Sequence, residues 1–249
     1  MTEQVRQPHI VYGLESRNRK ARKIELLLGL DSSDGPRRLL EVGVGSGGIS
    51  AYFGDHPSAR YEVDAVDVLD NRVVTNGYRF TQVSGTQLPF EDGSFDVVIS
   101  NHVIEHVGLH EAQRHHLLEL KRVLALEGVG YLAVPNRWML VEPHYRLPFL
   151  SWLPHSWRSR YLRMSGRGNF YDCEPLQLGE LDQLLREVGL VGQHKEVEAL
   201  RIMQSLEPIG GLLGNVLARC PDRWLAWLRP VIPTLICVFS HERPADGMR

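Results

Sequence analysis

Residues 39–50 read LLEVGVGSGGIS, and nothing else in the 249-residue chain constrains its fold as strongly. An apolar, strand-like run enters a turn carrying Gly43, Gly45, Gly47 and Gly48, and a helix-like segment leaves it. Glycines let a backbone approach a ligand closely, and free N–H groups at a turn and helix start attract negative charge. The spacing satisfies both Gly-x-Gly-x-Gly and Gly-x-Gly-x-x-Gly, so the loop alone admits a pyrophosphate or an amino-acid carboxylate. Two nearby acids narrow the choice. Glu41, two residues before Gly43, opposes a pyrophosphate but suits a ligand carrying an ammonium group. Asp67, 20 residues beyond Gly47, ends the next strand-like run and can accept both hydroxyl protons of a ribose.

The flanking chain alternates strands and helices. RLLEVGV, YEVDAVDV, YRFTQV, SFDVVIS and GVGYLAVP read as strands. A short helix follows the glycines around Ile49 to Phe53, and HEAQRHHLLELKRVLAL places Leu117, Leu120, Val123 and Leu124 on one helical face. This rhythm predicts an α/β fold, a doubly wound sheet whose strand C-termini share one ligand-binding edge. Upstream, SRNRKARKIELLLGL reads as a helix capped by Ser16 and closed near Gly29. Its basic run, Arg17, Arg19, Lys20, Arg22 and Lys23, is taken as a solvated helix face, with a nucleic-acid patch as the competing reading. DSSDGP is a loop. Past Asn136 the rhythm breaks, and residues 136–174 are rich in proline, aromatics and arginine without a clear period. PLQLGELDQLLREVGL reads as a helix, QHKEVEAL as a strand, 206–230 as broken helix and PTLICVFSHER as a last strand. The expected layout is one domain over 1–249 with lid-like insertions at 136–174 and 205–230.

Composition bounds the partners. A formal charge of −2 gives no electrostatic reason to expect nucleic acid. Cys173, Cys220 and Cys237 form no CxxC pair, which points to a reduced, cytoplasmic protein. The N-terminus lacks the apolar region of a signal peptide. The apolar stretch near the C-terminus is broken by Arg229, Pro230 and Pro233, so no transmembrane span is expected. Peripheral contact with the inner face of a membrane stays compatible with both features.

EVGVGSG (41–47), AVDV (65–68), LPFEDGSFDVVISNHVIEHV (88–107) and LKRVLALEGVGYLAVPN (120–136) follow one another in the order of a known family. In these pieces the chain resembles the class I S-adenosylmethionine-dependent methyltransferases, especially the branch that contains the quinone-biosynthesis methylases. The resemblance implies a Rossmann-like seven-stranded sheet with its last strand antiparallel and inserted near the edge, and mostly helical insertions after strands five and six. It implies S-adenosylmethionine as cofactor and S-adenosylhomocysteine as product. Glu41, Gly43, Gly45, Ser46 and Gly47 would hold the methionine part, and Asp67 with Val68 the ribose. Asn101 would line the pocket after strand four. Many relatives have an aspartate where Ser84 stands here, so the adenine contact falls to Gly85 and Thr86 instead.

Methyl transfer is a displacement at a carbon already activated by sulfonium, so positioning dominates and no metal is expected. A base is needed when the acceptor loses a proton as it attacks. HVIEHVGLH supplies the candidate bases, His106 first, as base or substrate-orienting residue with a structural role as the alternative, and His102 beside it. His102, His106 and His110 would share a helical face and could hold a metal, but Gly108 interrupts such a helix. His115 and His116 are taken as solvated. All five tryptophans lie in the two insertions. Aromatics with a polar edge suit an apolar–water boundary, and arginines grip anionic groups. Glu142, His144, Tyr145, Arg146 and Trp152 are therefore candidate acceptor contacts. The expected activity is methylation of oxygen or carbon on a small, lipid-like or prenylated acceptor. Methylation of a glycan or lipid-linked sugar, and cofactor binding without catalysis, are the alternatives.

Overall fold

The computed structural model describes residues 13–30, 36–58, 60–208 and 210–242. The expectations for the N-terminal stretch and for most of the DSSDGP loop fall on 1–12 and 31–35, outside the described residues.

Five strands come first: β1 (Arg37–Val42), β2 (Tyr61–Asp67), β3 (Arg79–Gln82), β4 (Phe95–Asn101) and β5 (Leu124–Pro135). A two-residue hairpin, β6 (Val141–Glu142) and β7 (Leu147–Pro148), stands apart. β8 (Leu190–His194) and β9 (Thr234–His241) complete a seven-stranded sheet in the order β3-β2-β1-β4-β5-β9-β8. β1 to β5 pair in parallel, and β9 runs antiparallel between β5 and β8. This is the doubly wound sheet with its antiparallel final strand that the sequence implies.

Side chains alternate across the sheet, so neighbouring residues feed opposite cores. Leu39, Val97, Ile99 and Tyr131 face α1 (Leu14–Leu27) and α2 (Gly48–Gly54). Leu40, Val98 and Leu132 face α3 (His110–Val123) and α5 (Leu178–Glu187). Helix α3 has no side-chain N-cap, yet Leu117, Leu120 and Val123 are fully buried. Each such side chain contributes about 1.5–3 kcal/mol, more than the roughly 1 kcal/mol of a missing cap.

Local boundaries differ from the sequence reading in three places. Helix α1 starts at Leu14, and Ser16 does not cap it. The strand β5 begins at Leu124, so the LAL of the expected α3 belongs to the sheet. QHKEVEAL is not a strand: β8 ends at His194 and α6 (Glu196–Leu206) begins at once. Val197 and Ala199 mimic a two-residue period, but Glu196 and Glu198 sit in the first turn, where the helix dipole favours acids. The remaining helices are α4 (His155–Met164) in the first insertion, and α7 (Gly211–Arg219) and α8 (Asp222–Trp227) in the second. The first insertion has its own small core of Tyr145, Leu147, Leu150, Leu162, Tyr171 and Cys173. Among the described residues no helix is long and apolar enough to cross a membrane.

Helix α1 is anchored by one acid. Glu25 is fully buried and accepts from Arg22 (2.7 Å), the Tyr52 hydroxyl (2.8 Å) and the Tyr61 hydroxyl (3.0 Å). His56 Nε2 lies 3.3 Å from the same carboxylate. Desolvation pushes its pKa up, but these donors outweigh it and hold the carboxyl below its ordinary range. A group depressed in the fold adds stability above its unfolded pKa of about 4.3 and loses it as pH falls through the folded value. Glu25→Gln is expected to cost roughly 2–3 kcal/mol at pH 7 in urea unfolding. The same titration repeated between pH 7 and pH 3 should show a smaller acid-side loss in the variant.

Candidate functional site

Strand order reverses between β1 and β4, and the crevice at such a point is where open α/β sheets bind ligands. Glu41, Asp67 and Asn101 come to this edge from the ends of β1, β2 and β4. Gly43, Gly45 and Gly47 all adopt left-handed backbone, with φ of 82°, 52° and 85°. A Cβ on Gly43 would lie 2.2 Å from Val103, and one on Gly47 would lie 2.0 Å from the Val74 carbonyl. These two glycines are required by packing as well as by φ. Gly45 differs: nothing lies within 4 Å of where its Cβ would be. Its outer face is open for a ligand.

Glu41 is buried at the floor of the turn and accepts a short hydrogen bond from the Ser50 hydroxyl. Burial pushes its carboxyl up to about 8, against Ser50 and the positive charge of Arg17. Asp67 accepts from the Gly45 N–H (2.9 Å) and the Val68 N–H (2.7 Å), which ties the turn to the end of β2. Ser46 is buried, and its carbonyl accepts from Val73 and Val74, both at 3.0 Å. Gly85 is exposed with open space around it, and the Thr86 hydroxyl is 2.7 Å from His115 Nδ1. The loop that carries both is strapped to α3. Arg122 donates to the carbonyls of Leu88 (2.9 Å) and Phe90 (2.7 Å) and to Asp92 (2.8 Å). Glu119 accepts from the Leu88 N–H (2.8 Å) and from Arg122.

The basic run on α1 is not a solvated face. Lys23 is buried, Arg17 and Lys20 are half-buried, and Arg19 is ion-paired with Glu15 and Glu207. A Cβ on Gly48 would meet the Arg17 Cβ at 2.7 Å, so α1 lies across the start of α2. Burial, reinforced by the charges of Arg17 and Lys23, pushes Lys20 down to about 8, and it feels both Glu41 and Glu105. The signal was present in the spacing. Arg17, Lys20, Ala21 and Ile24 fall on one helical stripe, and its apolar members are buried.

Beyond β4 the backbone turns sharply. His102 has a φ of 60°, uncommon for a residue other than glycine. Its Nδ1 lies 3.2 Å from Glu105 Oε1, and Glu105 is fully buried with Oε2 unpaired. Burial lowers the His102 pKa, so its ring is neutral at pH 7. For Glu105, desolvation raises the pKa, but the His102 hydrogen bond and the electrostatic pull of the neighbouring His102 and His106 rings bring it below the ordinary value. A short 3-10 turn, Ile104–His106, ends well before α3, and His110 lies at the start of that helix. Among the described residues, His102, His106 and His110 form no metal cluster. His116 is not solvated: it is buried against β4, 3.0 Å from Ser100 Oγ, and burial lowers its pKa to about 4.

The first insertion brings two expected acceptor residues to this edge. The His144 ring is 6.0 Å from the His106 ring, and its Nδ1 is 2.6 Å from the buried Glu142. Burial alone would lower the His144 pKa, but Glu142, Glu105 and Asp172 raise it overall. Tyr145 is buried in the insertion's core, with its hydroxyl donating to the Phe170 carbonyl (3.2 Å) and Asp172 (3.3 Å). Arg146 is exposed at a left-handed turn, with φ of 53°. Trp152 packs edge-on against Trp138 and Phe149 and donates to the Met139 carbonyl at 2.8 Å. Cys173, which sequence reading did not single out, sits 3.8 Å from His106 Nδ1.

Residues 40–132 match the sequence model of a family described as a methyltransferase domain. An uncharacterized methyltransferase of Mycobacterium sp. (strain JLS) is 37% identical over 79 residues, 31% of this chain and 31% of that protein. The chain thus aligns with about a third of the relative's length. A chain from the complex of the Haloferax volcanii Trm112 methyltransferase activator with a candidate methyltransferase superposes with a TM-score of 0.55 at 16% identity. That superposition covers 96% of this chain and 100% of the other. The 1,6-didemethyltoxoflavin-N1-methyltransferase of Burkholderia thailandensis, solved with its substrate and S-adenosylhomocysteine, gives 0.51 at 17% identity, covering 92% and 80%. The fold is the one these solved methyltransferases share, and residues 40–132 match the methyltransferase-domain family.

Arg122→Ala is expected to free the loop at 88–92 while leaving the sheet intact. The loss of its three loop contacts should cost about 2 kcal/mol and lower Tm by about 4–8 °C in a thermal melt.

Proposed function

We propose that this chain is a class I S-adenosylmethionine-dependent methyltransferase acting on oxygen or carbon of a small, lipid-like acceptor. One observation carries the cofactor assignment. A buried acid, Glu41, floors a glycine turn whose open face at Gly45 adjoins the Asp67 carboxylate. This set of acceptors fits a ligand with an ammonium group at one end and a ribose diol beyond it. The same set fits a pyrophosphate badly, because it offers carboxyl groups where a pyrophosphate needs hydrogen-bond donors. Glu41 and the 43–47 backbone would hold the methionine part, and Asp67 with Val68 the ribose. Gly85 and Thr86 would border the adenine, and Asn101 the pocket wall. When bound, the cofactor supplies a methyl group already activated by sulfonium.

Of the two candidate bases, His102 has the better geometry. Its neutral ring accepts a proton, and the Glu105 carboxylate orients that ring and would stabilise it once charged. Glu142 and His144 stand across from it on the insertion. The lipid-like character of the acceptor is supported by the insertions' exposed apolar surface. Phe149, Trp157, Met164, Trp224, Trp227 and Leu228 are each at least half exposed, with Trp227 at 86%. A soluble domain rarely leaves so many large apolar side chains in water without a use for them. The same surface suits contact with a membrane that stores such an acceptor.

Two measurements test this reading. Calorimetry with S-adenosylhomocysteine should show binding that tightens as pH rises from 6.5 to 8.5, by about three- to tenfold, because the ammonium needs ionised Glu41. The Glu41 group itself works the other way on stability: raised in the fold, it favours folding at low pH and loses that contribution as pH climbs through about 8. Glu41→Gln should flatten the pH dependence of binding, and Asp67→Ala should weaken it about tenfold or more at every pH. Unchanged affinity in Asp67→Ala would overturn the site. Separately, incubation with methyl-labelled cofactor and a cell extract should place label in the organic phase. Label confined to water would make the acceptor a soluble metabolite or glycan.

A further inference from the structure

The joint between the first insertion and the loop after β4 collects nitrogen, sulfur and oxygen ligands from separate stretches of chain. The ligand atoms of His106, Asp172 and Cys173 lie within 4.8 Å of one another, and so do those of Glu142, His144 and Cys173. We propose that this joint binds one divalent cation of the zinc class on His106, Cys173 and Asp172, with His144, which Glu142 orients beside Cys173, completing the ligand set when the ion is bound.

The geometry supports each role. Zinc bonds to sulfur at about 2.3 Å and to imidazole nitrogen at about 2.0–2.1 Å, so the S···N and S···O edges of a tetrahedron measure about 3.6 Å. Cys173 Sγ is 3.8 Å from His106 Nδ1 and 3.6 Å from Asp172 Oδ1. Both contacts are long for a hydrogen bond of ordinary strength and close to that edge. The Glu142–His144 contact of 2.6 Å is too short for two ligands of one ion. It is the length of a carboxylate holding an imidazole by one nitrogen while the other faces a metal. A thiolate with two imidazoles and a carboxylate selects zinc over magnesium or calcium, which prefer oxygen alone.

The backbone around the site is braced as a ligand set requires. The Glu174 N–H donates to the Glu105 carbonyl at 2.8 Å, which locks Cys173 beside the Ile104–His106 turn. Gln113 spans the same joint, donating to the Glu174 carbonyl at 3.0 Å. Buried Arg158 pairs with Glu174 at 3.2 Å and donates to the Leu153 carbonyl at 2.9 Å. Cys173 and Glu142 are almost fully buried, and Glu105 leaves one buried carboxylate oxygen unpaired in the same neighbourhood. A cation there would offset that negative charge and fasten the insertion to the sheet. The inference is independent of the cofactor assignment, since none of these ligands belongs to the glycine turn.

The test uses the full chain stripped with chelator and titrated with cobalt(II), followed by zinc. One cobalt per chain should bind, with a thiolate-to-metal charge-transfer band and the intense visible bands of tetrahedral coordination, and zinc should displace it. Saturating zinc should raise Tm by roughly 5 °C. Cys173→Ser should abolish the charge-transfer band with an unchanged circular dichroism spectrum, and Cys220→Ser should leave it intact. His144→Ala should weaken zinc binding about tenfold or more, which provides a second readout if Cys173→Ser folds poorly. No stoichiometric binding, or a band that survives Cys173→Ser, overturns the site. S-adenosylhomocysteine binding to the zinc-free chain, measured alongside, separates failure here from failure of the cofactor assignment.

Discussion

The turn from Val42 to Gly48 is the constraint on which the rest of this structure depends. It needs left-handed backbone at Gly43, Gly45 and Gly47, and two of those positions are walled by Val103 and Val74. A side chain at either would cost a steric clash in addition to the backbone penalty. In exchange the turn brings the β1 terminus, the start of α2 and the β2 terminus within hydrogen-bonding range, with Asp67 as the shared acceptor. The crevice between β1 and β4 then has a carboxyl floor of fixed shape. α1 covers part of that floor with positive charge, and Glu25 holds α1 in place from the far end.

How far the sequence predicts these features follows from the range of the interactions. Strand and helix types were legible because alternation and helical periodicity are local, and the antiparallel last strand inserted near the edge followed from the resemblance. The turn was legible because glycine spacing encodes backbone conformation directly. The misread segments are those where a local pattern had two solutions. Val197 and Ala199 fit a strand as well as a helix, and the acids of the first turn decided for the helix. The basic run on α1 looked solvated because charge usually is. Its burial depends on Glu41 and Glu105, which come from elements 24 or more residues away from Arg17 in sequence. His116 was misread for the same reason, since Ser100 lies on a different element.

The candidate site divides along the same line. Residues that face the glycine turn come from motifs, and the structure gathers Glu41, Asp67 and Asn101 at one edge. Residues of the insertion carry no motif. Tyr145 and Trp152 were picked for aromatic character, yet their polar atoms bond to the insertion's own backbone at Phe170 and Met139. Arg146 is exposed at a left-handed turn of the insertion. Glu142 and His144 do reach the joint with the loop after β4, and Cys173 reaches it unannounced. A lone cysteine in a chain with three scattered ones carries no signal until a fold places an imidazole beside it.

This separation has a mechanistic meaning. The insertion has its own core of Tyr145, Leu147, Leu150, Leu162 and Tyr171, so it can pack without help from the sheet. Its position over the crevice is set by a few polar contacts, chiefly Glu174 on the Glu105 carbonyl, Gln113 across the joint, and the cluster around Cys173. Polar contacts of this kind contribute about 1 kcal/mol each, far less than a shared apolar core would. The sheet and the insertion are thus separately packed units, joined by polar contacts rather than by a shared apolar core.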